Sequence, residues 1–143
     1  MKAFEKQSRE MANEFVQSVV FVDDEIFGIE GKADKNHILE SEALVNAFSK
    51  AGKLCALNNP RNHSDLKDTI NLVKKADVVV LDWKMDLTRP DGEDEEADVG
   101  ELRGEFTLEI LESLFKDEGL LKSNLKLIII YTAETGLSEI ANG

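Results

Sequence analysis

The sequence predicts an α/β fold in which a doubly wound parallel sheet carries helices on both faces. Three observations predict it. Val19 to Val22, Val78 to Leu81 and Leu127 to Ile130 are unbroken, largely β-branched apolar runs, the pattern of strands buried on both faces under helices. Between them lie stretches whose apolar residues recur at helical spacing, so strand and helix alternate along the chain. The runs also end alike, in Asp23-Asp24, in Asp82 and in Tyr131-Thr132. Parallel strands place their C-terminal ends along one edge of the sheet, where open α/β sheets bind ligands. Asp23, Asp24, Asp82 and Thr132 are therefore expected to meet at that edge.

Residues 2–16 contain neither Gly nor Pro, and Phe4, Met11, Ala12, Phe15 and Val16 form one stripe, which predicts a helix packed on the domain. The first strand is expected at 18–23. A polar, glycine-containing loop follows at 28–36, then a helix over about 37–50 that Gly52 terminates. The second strand, 53–57, leads into the turn-rich Asn58-Asn59-Pro60-Arg61-Asn62. Ser64 is the expected N-cap of a helix to about Lys75, with Leu66, Ile70 and Val73 on one face. The third strand spans 77–82. A long loop occupies 86–104, and a helix over about 105–117 turns Phe106, Ile110, Leu111, Leu114 and Phe115 inward. The fourth strand is 125–131, and 137–141 reads as the opening turn of a further helix.

A chain of 143 residues is long enough for one domain that buries roughly 68% of its unfolded surface. The net charge of −12 disfavours direct binding to nucleic acid or to an anionic membrane, and suits a metal cation or a basic protein surface. No apolar run approaches a membrane span, and the polar N-terminus does not resemble a secretory signal. The single cysteine, Cys55, fits a reducing cytoplasm and reads as a small core residue of the second strand. His37 and His63 lack metal-ligand spacing and are expected at the surface. Trp83 belongs either to the rim of the site or to the core. The acidic stretch within 90–104 is expected to be solvated, with docking of a basic partner as the alternative.

Carboxylates packed together repel, and one of them takes up a proton unless a cation intervenes. Mg²⁺ accepts a few carboxylates, water and phosphate oxygens in an octahedral shell. A carboxylate can also attack phosphorus and form an aspartyl phosphate, a reaction assisted by positive charge on the equatorial oxygens. A hydroxyl such as that of Thr132 could hydrogen-bond the transferred group.

In these residues the chain resembles the receiver domain of two-component response regulators. Asp23 and Asp24 stand where that family keeps its metal-binding acidic pair, and Asp82 where it keeps the phosphoacceptor. Asp82-Trp83-Lys84-Met85 is similar to its Asp-x-x-Met stretch, in which the backbone carbonyl of the residue at Lys84 also binds the metal. Thr132-Ala133 is similar to its switch hydroxyl and the small residue after it. The resemblance covers about residues 18–141. It implies a flavodoxin-like (CheY-like) sheet, with residues 1–17 as an added N-terminal helix and 18–143 as the receiver-like domain. The family's fifth strand, the lysine at its end and the fifth helix have no counterpart before Gly143, so a divergent branch cut from a longer protein is expected. Lys126 lies at the wrong end of its strand to replace that lysine, the loop after Asp82 is longer than usual, and Asp86 stands where proline is common.

The resemblance implies a cytoplasmic signalling domain rather than an enzyme. Asp82 would be phosphorylated with Mg²⁺ by a histidine kinase or a small phosphodonor, and an effector domain or partner protein would read the result. The alternative is a receiver-like interaction module that is never phosphorylated; a Mg²⁺-dependent phosphohydrolase ranks third, for want of a general base. An exposed edge beyond the fourth strand would invite pairing into a homodimer.

Overall fold

The structure, a computed structural model, describes residues 2–27, 41–87, 104–123 and 125–132. In chain order these form α1 (Lys2–Phe15), β1 (Ser18–Val22), α2 (Ser41–Lys50), β2 (Leu54–Asn58), a 3-10 turn (His63–Asp65), α3 (Leu66–Val73), β3 (Val78–Asp82), α4 (Glu105–Phe115), α5 (Glu118–Ser123) and β4 (Leu127–Tyr131). The 28–36 loop, the start of the helix at 37–40 with His37, most of the 86–104 loop, Ala133 and the turn at 137–141 lie outside the described residues.

The four strands form one parallel sheet in the order β2-β1-β3-β4, with Val20 opposite both Ala56 and Val79, and Leu81 opposite Ile130. This is the flavodoxin-like arrangement, and the strand order reverses between β1 and β3, which places the ligand crevice at their C-terminal ends. The expectation of an α/β fold with a parallel sheet is met.

The alternating pleat sorts the central strands. Val20, Val22, Val79 and Leu81 project to one face and form a core with Leu66 and Val73 of α3 and Phe106, Ile110 and Leu114 of α4. On the opposite face Val19 and Val78 are buried, and Phe21 meets Phe48 of α2 edge to face, with ring centroids 6.0 Å apart. Burial on both faces holds for β1 and β3 only. β2 and β4 flank them, so Cys55 is half-buried rather than a core residue, and Leu127, Ile129 and Ile130 remain substantially exposed.

Three further local expectations change. No residue of α1 is buried, and Phe4 and Met11 are 74% and 64% exposed, so the stripe does not pack on the domain. The helix is instead tied down at its C-terminal end, where Lys53 Nζ donates to the carbonyl oxygens of Asn13 (2.6 Å) and Val16. Asn62, not Ser64, caps the segment before α3. Its side chain accepts from Asp65 N–H while Asp65 accepts from Asn62 N–H, both at 3.2 Å, and this capping box opens a 3-10 turn ahead of α3. The helix expected to reach Asp117 ends at Phe115, which is 60% exposed, and Asp117 starts α5 by accepting from Leu120 N–H at 3.1 Å.

The edge opposite the crevice is closed by side chains. Asp77 accepts from the N–H groups of Gln17 (2.8 Å) and Ser18 (2.9 Å) and from the Ser18 hydroxyl (3.0 Å), which locks the start of β1 to the start of β3. Lys126, at the start of β4, donates to the Val73 carbonyl (3.0 Å) and to that of Ala76, at the C-terminal end of α3. Lys126 is therefore a helix cap, at the end of the sheet away from the aspartates.

Leu81→Ala, at a fully buried central position, is expected to cost about 2–5 kcal/mol. Ile129→Ala, on the half-exposed β4, is expected to cost less than half as much. Denaturant unfolding of the two variants beside the wild type checks the difference.

Candidate metal and phosphoacceptor site

The crevice is built by strands that run out into polar residues. Beyond Val22 the ladder continues for one step, with Asp23 N–H donating to the Asn58 carbonyl at 3.1 Å. Asp23 Oδ1 then accepts from Glu25 N–H at 2.7 Å, which turns the chain and seats Ile26 in the interior. The side chain of Asp23 is only 4% exposed. The neighbouring Asp24 Oδ2 accepts from Asp86 N–H at 2.9 Å, joining the segment after β1 to the segment after β3. Asp82 closes β3, and its Oδ1 accepts from Lys84 N–H at 3.2 Å.

These elements bring Asp23, Asp24 and Asp82 together: one carboxylate oxygen from each lies within 4.8 Å of the other two. Burial pushes the Asp82 carboxyl up to about 7, and the charges of Asp23, Asp24 and Glu25 add to the rise against the opposing Lys84 N–H. Burial likewise raises Asp24 to about 6, with Asp23 and Asp86 adding to it and the Asp86 N–H opposing. The donor set fits a hard divalent cation. It is all carboxylate oxygen, it carries excess negative charge, and Asp24 Oδ1 is buried with no hydrogen-bond partner among the described residues.

The remaining expected residues take their places along the same edge. Thr132 directly follows β4 and is half-buried. Lys84 is exposed, with its backbone folded against Asp82. Trp83 packs inside the site wall: a Cβ on Gly104, at φ 84°, would lie 2.5 Å from its indole ring. Gly104 is thus required both by its left-handed backbone and by the ring against it. His63 is a surface residue, as expected, with its Nε2 3.0 Å from Glu109 Oε2.

Two participants went unread in the sequence. Thr107, fully buried in the first turn of α4, donates from its hydroxyl to the Asp82 carbonyl at 2.6 Å and so fixes the helix against the end of β3. Tyr131, the register partner of Asp82, donates its phenol O–H to Asp23 Oδ2. Burial holds the phenol firmly protonated, as do its bond to Asp23 and the surrounding carboxylates. The available signal was a lone tyrosine ending an aliphatic strand, where a polar tip needs a partner.

The family model described as response receiver domain matches residues 15–143. No curated protein matches the chain.

Because the folded protein binds protons more tightly than the unfolded chain at Asp24 and Asp82, these groups favour folding at low pH. That contribution is lost as pH rises from the ordinary carboxylate value of 3.8 through about 6 and about 7. In the presence of a chelator, Asp82→Asn should therefore gain stability relative to the wild type as pH is raised, with little difference at pH about 4 and the largest above about 7. Thermal melts of both proteins across that range check the sign.

Proposed function

The chain belongs to the response receiver domain family, and from that premise we propose that it is a phosphoacceptor switch in which Asp82 is the acceptor. The observation that carries this reading is the meeting of Asp23, Asp24 and Asp82 from two strand ends, with oxygens within 4.8 Å. Asp82 is the member that ends β3, and no hydrogen bond engages its Oδ2 among the described residues. A carboxylate oxygen of Asp82 would attack phosphorus as the bond to the donor breaks, either P–N in a histidine kinase's phosphohistidine or P–O in a small acyl phosphate. The leaving group departs with that bond's electron pair, and the product is an aspartyl phosphate.

Asp23, Asp24, Asp82 and the Lys84 carbonyl would hold Mg²⁺. When bound, the ion supplies positive charge for the equatorial phosphoryl oxygens. Thr132 stands one residue past the register partner of Asp82, close enough in the chain order of the edge for its hydroxyl to be drawn toward a new phosphoryl group. That movement would change the surface after β4, and an effector domain or partner protein would read it. The net charge of −12 supports a protein rather than a nucleic acid as that reader. Among the described residues no helix is long and apolar enough to cross a membrane.

A receiver-like module that is never phosphorylated is the second reading. It is favoured by one observation: among the described residues no lysine ammonium bonds to the acidic triad, and Lys126 is committed to the end of α3.

Incubation with acetyl phosphate and Mg²⁺ should add the mass of one phosphoryl group to the wild type and none to Asp82→Ala. No gain with a range of donors, together with partner binding that Asp82→Asn leaves unchanged, would favour the second reading. Chelation of Mg²⁺ should abolish the gain.

A further inference from the structure

The phenol of Tyr131 has a placement that packing alone does not explain. Tyr131 is carried on β4, and Asp23 follows β1, with β3 lying between the two strands. The strands that carry the two residues are therefore two spacings apart, roughly 10 Å, and the Tyr131 and Asp23 side chains together bridge that gap. Because Tyr131 is the register partner of Asp82, the reach passes over the end of β3, beside the proposed acceptor. An aliphatic residue like the preceding Ile128, Ile129 and Ile130 would continue the strand without bringing a polar group into the acidic cluster.

What the phenol does there is set by its partner. Asp23 is nearly fully buried, and both of its oxygens are held: Oδ1 by Glu25 N–H at 2.7 Å and Oδ2 by Tyr131. Two donors on opposite oxygens remove the freedom of the carboxylate to rotate. Each carboxylate oxygen has two lone pairs, so Oδ2 can accept the phenol and still offer its second lone pair to a cation or to a cation's water. Asp24 Oδ1, by contrast, is buried with no partner among the described residues. The triad thus combines one carboxylate locked in orientation with a second whose buried oxygen is a competent cation ligand.

We propose that Tyr131 is a positioning residue for cation binding, its phenol fixing Asp23 so that the acidic triad presents a preset group of oxygens. This rests on the receiver reading, since it takes Mg²⁺ as the cation. Hydrogen-bond partners of metal-binding side chains typically set affinity by 10–100-fold, and a buried carboxylate held from a neighbouring strand is the arrangement in which that effect operates.

The test uses the full chain. Mg²⁺ binding is followed by the emission of Trp83, the only tryptophan, which adjoins Asp82. Tyr131→Phe keeps the ring and loses the donor, and should weaken Mg²⁺ binding by about 10–100-fold. Adding Tyr131→Phe to Asp23→Asn should weaken binding no further than Asp23→Asn alone. A role in folding only would lower the melting temperature and leave the Mg²⁺ affinity of the folded protein unchanged. Equal or tighter binding by Tyr131→Phe overturns the proposal, the latter by showing that the phenol obstructs the cation.

Should Tyr131→Phe fail to fold, the wild type decides. Tyr131 is the only tyrosine, so 3-fluorotyrosine labelling yields one assignable ¹⁹F resonance. It should shift over the same Mg²⁺ range as Trp83 emission, and a resonance that stays in place while the emission saturates overturns the proposal. Wild type that binds no Mg²⁺ by either probe would sink the metal-dependent receiver reading, and this inference with it.

Discussion

Mutual repulsion among three carboxylates is the condition around which this domain is arranged. Side chains free to choose would move apart. Asp23, Asp24 and Asp82 cannot, because each lies within two residues of the end of a central strand whose register is set by the β1–β3 ladder. Their oxygens are held within 4.8 Å in a crevice from which water is partly excluded. Burial, with the neighbouring charges adding to it, raises the proton affinities of Asp24 and Asp82, a preference that a cation or a proton can satisfy. Backbone N–H groups from Glu25, Lys84 and Asp86 each take one carboxylate oxygen and soften the conflict without cancelling it.

Holding such a cluster requires a rigid frame beneath it. The fully buried Val20, Val22, Val79 and Leu81 fill the layer between the sheet and helices α3 and α4. The opposite edge of the sheet is bound by Asp77 and Lys126, which join strand starts to one another and to the end of α3. Thr107 then connects α4 to the carbonyl of Asp82 itself. Ionic and polar side chains thus serve as joints at one edge and form the acidic cluster at the other, a division that parallel strands make available because all their ends of one polarity coincide.

Membership of the response receiver domain family gives this arrangement its context. A switch needs a charge change in a place where the surrounding chain can respond. Three segments line the crevice, the turn after β1, the segment after β3 and the end of β4, and each is hydrogen-bonded to at least one of the aspartates. The exposed apolar stripe of α1 lies outside that lining, and so do the exposed Leu127, Ile129 and Ile130 that precede Tyr131 on β4.

Much of this was legible from the residues in order. Runs such as Val78 to Leu81 announce central strands because burial on two faces leaves no room for polar alternation, and Asp82 or Asp23 at the end of such a run is placed by the polarity of the strand alone. Local capping was only partly legible: Ser64 and Asn62 are both competent caps, and the reciprocal bond with Asp65 selects Asn62. The burial of α1 was misjudged because periodicity shows that a helix has an apolar face, not that anything covers it. The bond from Tyr131 to Asp23 was beyond reach, since it joins residues 108 positions apart. Strand polarity and hydrophobic pattern, both local properties, sufficed to determine the parallel sheet and the shared edge of the aspartates. Which side chains lock them, and how strongly they hold protons, depends on strand order and on the enclosure of the crevice. Those properties arise only when distant segments are packed together.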